Sequence, residues 1–269
     1  MNLNQILQPL KEITLEALFP RVCPVCGEIL KLPPKWYRYK DFSYVHPDHE
    51  QYYEQILICP VCAGKLIYNS EPSCIICSKP LELEEERYCD LCQNNVRYFD
   101  HSHALLLQNE DAKKIIYDLK FHDRRINAEW IGYALAVRFH EQLLRWGADV
   151  LLPVPLHKKR MRQRGFNQAE LIAEALSFWM QKLYHVPLPV DSNYLQRSRY
   201  TKPQRTVEAS IRSENVNSAF SVISHTAKNY RAPVLIDDIF TSGSTLNSCA
   251  KTLKDSGSRH VFFLTASIV

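Results

Sequence analysis

The stretch Val234-Leu235-Ile236-Asp237-Asp238-Ile239-Phe240-Thr241-Ser242-Gly243-Ser244-Thr245 runs from an apolar strand into two carboxylates. It then enters a hydroxyl-rich loop that opens a helix. Successive backbone N–H groups at a helix N-terminus point into a concavity that suits an anion. Gly243 lets the backbone approach a ligand closely. Thr241, Ser242, Ser244 and Thr245 add hydroxyl donors. A phosphate monoester held in this way needs no lysine. Asp237 and Asp238 would then accept hydrogen bonds from the vicinal hydroxyls of a ribose. The plainer alternative is a helix cap beside a solvated acidic turn. A Walker-type loop is disfavoured because no Gly-Lys-Ser/Thr follows, and a dinucleotide fingerprint because Gly-x-Gly-x-x-Gly is absent.

Outward from this loop, strand and helix patterns alternate. Residues 104–108, 150–154, 233–236 and 259–268 read as strands. Residues 112–121, 127–146, 168–184 and 243–256 read as helices, the last closed by Gly257. In 168–184, Leu171, Ile172, Ala175, Leu176 and Trp179 recur at helical spacing. The pattern predicts an α/β fold, a mainly parallel sheet covered by helices, with its ligand at the carboxyl ends of the strands. Cys249 falls inside the last helix and reads as a small core residue.

Eight of the nine cysteines lie between Cys23 and Cys92, in the pairs Cys23/Cys26, Cys59/Cys62, Cys74/Cys77 and Cys89/Cys92. Two thiolates three positions apart on a tight turn can face one metal, and two such turns supply the four-sulfur shell of zinc. We expect two structural zinc ions. The simplest pairing is sequential, Cys23, Cys26, Cys59 and Cys62, then Cys74, Cys77, Cys89 and Cys92; a cross-braced pairing stays open. Gly27 and Gly64 follow two of the turns, where they would relieve crowding. An aromatic, charged insert from Trp36 to Tyr53 separates the first two pairs. The chain therefore divides into an N-terminal helix over 1–20, a cysteine-rich zinc-binding module over 21–95 and an α/β domain over 96–269.

The 269 residues carry a formal net charge of +4, with 46% hydrophobic and 23% charged residues, an ordinary soluble composition. That charge does not by itself imply nucleic acid. It is uneven, however: His157, Lys158, Lys159, Arg160, Arg162 and Arg164 cluster, as do Glu82, Glu84, Glu85, Glu86 and Asp90. No stretch is suited to span a bilayer, and the first twenty residues lack the basic start and apolar run of an export signal. Reduced thiols and a cytoplasmic location are expected.

The Asp237–Thr245 loop resembles the 5-phosphoribosyl-1-pyrophosphate (PRPP) motif of type I phosphoribosyltransferases. Other stretches resemble the competence protein F family: Pro153-Val-Pro-Leu-His157, Arg164-Gly-Phe-Asn-Gln168-Ala-Glu-Leu-Ile-Ala173, Leu195-Gln-Arg197-Ser-Arg199 with Thr201 and Gln204, and Arg212 through Asn215-Val216 to Phe220. The cysteine knuckles look like that family too, whereas the long insert after Cys26 departs from it. The resemblance implies a type I phosphoribosyltransferase fold behind a small zinc-ribbon-like module. It puts Asp237 and Asp238 on the ribose hydroxyls and Thr241, Ser242, Gly243, Ser244 and Thr245 on the 5-phosphate. Pro153 and Val154 would lead into the pyrophosphate loop, with Lys158, Arg160 and Arg164 as a cationic hood and magnesium accompanying PRPP. Asn167 and Gln168 would order that loop, and Phe121 would sit in the core. Three functions follow as expectations: a magnesium-dependent phosphoribosyltransferase of unknown acceptor, a non-catalytic PRPP or nucleotide sensor, and a single-stranded DNA-handling protein. The last would act in uptake of transforming DNA, beside a helicase or channel protein.

Overall fold

The computed structural model describes residues 20–30, 53–197, 219–223 and 229–269. The expected N-terminal helix and nearly all of the aromatic insert lie outside them. So do Arg199, Thr201, Gln204, Arg205, Arg212, Asn215 and Val216. Two compact units divide between Leu66 and Ile67, so the second cysteine group belongs to the larger unit, 67–269.

Both units repeat one local design. A reverse turn begins at Cys23, where Cys23 N donates to Glu28 O and Gly27 N to Cys23 O. The Cys74 turn copies it, with Cys74 N donating to Lys79 O and Ser78 N to Cys74 O. The residue after the second cysteine is left-handed in each, Gly27 at φ 79° and Ser78 at φ 61°. Glycine adopts that conformation without steric cost, while serine holds it against a Cβ penalty. The other half of each module is a one-turn helix, Pro60–Ala63 after Cys59 and Asp90–Gln93 after Cys89. Gly64 lies at an ordinary helical φ of −68°, so the turn there does not require glycine.

In the larger unit the strands are β1 (His101–Leu107), β2 (Val150–Pro153), β5 (Pro233–Phe240) and β6 (Phe262–Ile268), in the order β1-β6-β5-β2. Every pairing is parallel. The central strand β6 is buried at all its positions, as a sheet covered on both faces demands. Strands β3 (Leu195–Arg197) and β4 (Phe220–Val222) form a separate antiparallel pair.

The helices are α1 (Glu110–Phe121), α2 (Ile126–Trp146), α3 (Lys158–Arg164), α4 (Gln168–Tyr184) and α5 (Ser244–Asp255). Helix α4 packs on β2 and β5, and α2 packs on α4, β1 and β6. At their crossing Gly132 admits Ala175, which a Cβ on Gly132 would meet at 2.4 Å. The opposite face of the sheet carries a core joining Leu152, Leu235 and Phe263 to Leu246, Cys249 and Leu253 of α5. The same core contains Cys74, Cys77, Cys89 and Cys92, so the second knuckle pair is part of the α/β body. This mixed α/β arrangement, with a parallel sheet flanked by helices and two four-cysteine modules, matches the fold expected from sequence.

Candidate phosphate site and metal centres

Strand β5 carries both acids at its carboxyl end. Side chains alternate along a strand, so adjacent residues leave on opposite faces. Asp237 lies on the side of Arg197 and Cys249, whose electrostatics it shares. Asp238 turns to the other side and is 5% exposed. Its Oδ1 receives Lys120 Nζ at 2.9 Å. Its Oδ2 is buried with no hydrogen-bond partner among the described residues. The main-chain N–H of Asp238 donates to Asp237 Oδ1 at 2.9 Å. Burial, and then the charge of Asp238, push the Asp237 carboxyl up to about 7. That N–H, with Lys120 and Arg197, pulls it the other way.

The loop after β5 keeps its donors available. Among the described residues, no main-chain N–H from Thr241 to Thr245 donates to a main-chain carbonyl. Ser244 N reaches only Ser242 Oγ, at 3.5 Å, too long to count for much. Thr241 and Ser242 are exposed, Ser244 and Thr245 half-buried. Gly243 caps α5 at φ 71°, and a Cβ there would strike the Phe240 ring at 2.5 Å. Both facts explain the glycine more directly than ligand approach does.

The other expected elements surround this strand end. Val154 N donates to Ile236 O at 2.9 Å, which holds the Pro153–Pro155 segment against β5. Asn167 caps α4 by accepting from Ala169 N, and its Nδ2 donates to Val154 O. Gln168 Oε1 accepts from Arg164 at 2.8 Å. Asn167 and Gln168 therefore order the segment, as the motif suggested.

The basic run expected as a cationic hood forms the short helix α3, capped by His157 and ended by Gly165. Arg160 and Arg164 are half-buried, while Lys158, Lys159 and Arg162 are exposed. Arg160 and Arg164 line a cleft of about 640 Å³ with Lys120, Phe121 and Phe166. Burial lowers the Arg164 pKa, against which the charge of Asp238 acts. Burial likewise lowers that of Arg197. Phe121 is a correction: it is 57% exposed, not in the core. Its ring lies 5.0 Å under the Arg164 guanidinium and 4.8 Å from Tyr117. Helix α1 ends at Phe121, so the apolar spacing that buries Leu119 no longer governs it.

Lys120 is the site residue that sequence reasoning left without a role. The only signal was its place in Asp118-Leu-Lys-Phe121, on a helix remote in sequence from Asp238.

The cysteines group sequentially. Sulfurs of Cys23, Cys26, Cys59 and Cys62 lie within 4.8 Å of one another, as do those of Cys74, Cys77, Cys89 and Cys92. A zinc–sulfur distance of ~2.3 Å sets a tetrahedron edge of about 3.8 Å. Cys26 and Cys59 are 3.8 Å apart, and Cys77 and Cys89 are 3.5 Å apart. Both groups can hold zinc. Hydrogen bonds from its neighbours lower the Cys74 pKa, while the Cys74 sulfur raises that of Cys77. Four thiolates so close can coexist only around a cation.

No helix among the described residues is long and apolar enough to cross a membrane. No family model matches the chain. Curated proteins similar to it include the following three. Competence protein F of Haemophilus influenzae is 37% identical over 110 residues, 40% of this chain and 45% of that protein. DNA utilization protein YhgH of Escherichia coli K12 is 30% identical over 150 residues, 55% of this chain and 63% of that protein. Competence protein ComFC of Bacillus subtilis is 36% identical over 108 residues, 40% of this chain and 39% of that protein. The chain thus spans less than two thirds of the length of each.

Proposed function

We propose that this chain, whose relatives support the competence protein F family, binds PRPP at the end of β5 and serves the uptake of DNA. The observation that carries the ligand assignment is the 241–245 loop, with main-chain donors that meet no main-chain carbonyl among the described residues. The loop follows two carboxylates, one of which has a buried oxygen without a partner. An unsatisfied buried acceptor is costly, and a ribose hydroxyl donating to Asp238 Oδ2 would remove that cost. Asp237 would take the neighbouring hydroxyl. Lys120 pairs with Asp238 and fixes its carboxylate. The amides of the loop would hold the 5-phosphate at the start of α5.

Arg160 and Arg164, across the cleft, suit the pyrophosphate. Transfer would break the bond between the anomeric carbon and pyrophosphate and form one to a nucleophile of unknown identity. Cations preorganised around the departing group favour that charge. Adjacent carboxylates offer the hard oxygen donors that magnesium accepts. Bound with PRPP, the ion would neutralise part of the pyrophosphate charge. A sensor that binds PRPP without turnover uses the same contacts.

The DNA role rests on the relatives' names, competence protein and DNA utilization protein. Calorimetry with PRPP and magnesium tests the site, and pyrophosphate release separates transferase from sensor. Asp237→Ala with Asp238→Ala should abolish binding while zinc content stays unchanged. Removing Asp238 also takes the carboxylate from the half-buried Lys120, which costs stability as well as binding. Asp237→Asn leaves that pair intact and should still weaken binding. Unaltered PRPP affinity in a folded Asp237→Asn protein would count against the assignment.

A further inference from the structure

Between the second cysteine group and the candidate phosphate loop runs a short tether. Cys89 caps the one-turn helix Asp90–Gln93 and Cys92 lies within it, and the chain then passes through Val96, Arg97, Tyr98 and Phe99 into β1. These residues grip the first turn of α5. Tyr98 N donates to Asn247 Oδ1 at 2.7 Å, and Asn247 Nδ2 donates to Val96 O at 3.0 Å. Asn247 is thus clamped by both polar atoms of its side-chain amide to one tripeptide, 149 and 151 positions away in sequence.

Arg97 adds a second link. Its guanidinium donates to Leu91 O at 3.3 Å inside the knuckle and to Ser242 O at 3.4 Å inside the loop. These contacts are longer and weaker than those of Asn247. Beneath the tether, Phe99 meets Phe263 edge-on at 4.7 Å, and Phe263 stacks on Phe240 at 5.3 Å. Phe240 in turn is the ring that leaves no room for a side chain on Gly243. Hydrogen bonds and packing therefore both connect the knuckle to the loop.

We propose that zinc at Cys74, Cys77, Cys89 and Cys92 fixes the conformation of the phosphate loop through Val96–Tyr98 and Asn247, so that metal binding and anion binding favour each other. Asn247 and Arg97 are positioning residues on this view, and touch neither ligand nor metal. The proposal rests on the assignment of the 241–245 loop as a phosphate site. The coupling must be reciprocal, because two ligands that bias one element change each other's affinity by one factor.

Two measurements on the full zinc-loaded chain test it. The first is hydrogen exchange of amides 247–249, the first hydrogen-bonded turn of α5, beginning with Asn247 N to Gly243 O. Asn247→Ala removes both clamp hydrogen bonds and should speed their exchange about tenfold or more, each bond being worth about 1 kcal/mol. Alanine's higher helix propensity acts in the opposite direction. Zinc content and β6 protection should not change. Asn247→Asp keeps the acceptor for Tyr98 N and should restore part of the protection. The second measurement follows alkylation of Cys74, Cys77, Cys89 and Cys92 by mass spectrometry while a chelator strips the zinc. PRPP with magnesium should slow this in the parent protein and not in Asn247→Ala.

Unchanged exchange at 247–249 in Asn247→Ala would overturn the coupling. Equal slowing by PRPP in both proteins would do the same, as would a loss of β6 protection that accompanies every loosening of the loop. Should PRPP fail to bind the parent protein, the ligand assignment fails, and the tether stands or falls on the exchange result alone.

Discussion

Asp237 owes its chemistry to where one residue falls on a strand. Its carboxyl is pushed up to about 7 by burial and by Asp238. An unfolded aspartate titrates near ~3.9. The folded chain thus binds this proton more tightly than the unfolded one. The resulting stability is present below the unfolded value and is lost as pH rises from about 4 through about 7. Hydrogen bonds from a sugar diol favour the ionised form. We therefore expect PRPP affinity to strengthen between about pH 6 and pH 8, with Asp237→Asn weaker and flatter across that window. The ligand's own phosphate titration near ~6 is common to both proteins and cancels in their ratio. Calorimetry at several pH values checks this, and parallel profiles would remove Asp237 from the site.

His103 of β1 runs the other way. Its ring lies between Phe139 and Trp146, with centroids at 4.9 and 5.4 Å, and burial pushes its imidazole down to about 4. The stability it confers as a neutral ring is present above the unfolded pKa of ~6.5 and is lost as pH falls from there toward about 4. Urea unfolding at several pH values should show an acid limb that His103→Phe flattens.

At the scale of elements, the α2–α4 crossing holds the sheet's helical face together, and one glycine permits it. A Cβ on Gly132 would stand 2.4 Å from Ala175 Cβ and 2.6 Å from Leu176 N. The obstacle includes backbone, so the helices must separate. Gly132→Ala should cost about 1–3 kcal/mol despite the better helix propensity of alanine. Chemical denaturation reads that loss directly.

The helices themselves were legible because their signal is local. The apolar spacing from Leu171 to Trp179 marks the inner face of α4, which spans the 168–184 expected from sequence. Gly257, at φ 100°, closes α5 as its position suggested. Helix α3 was not legible. It buries no residue and carries no apolar period, so its run of basic and polar residues gives no helical signal. The Lys120–Asp238 pair and the Asn247 clamp were equally hidden, since each joins segments more than a hundred positions apart. Acids on adjacent positions signalled a site, but not that one of them would face inward with a lysine.

For the whole molecule, a net charge of +4 is too small to steer a polyanion, so any DNA binding must come from local arrangement. Helix α3 supplies one. Residues 160 and 164 are four apart and share a face, and both line the cleft. Lys158, Lys159 and Arg162 are exposed away from it. One element thus separates cations that line the cleft from cations that face solvent. If single-stranded DNA uses the outer face, Lys158→Glu, Lys159→Glu and Arg162→Glu together should weaken its binding about equally for all sequences. The slope of log affinity against log salt should fall by about 0.7 for each DNA phosphate that the protein no longer neutralises. PRPP affinity should hold, because Arg160 and Arg164 are untouched and Lys158, expected in the hood, does not line the cleft. Filter binding across a salt series and calorimetry on the same variant decide the matter. Weakening of both ligands together would mean that one face serves both, whereas an unchanged salt slope would move the DNA-binding surface off α3 altogether.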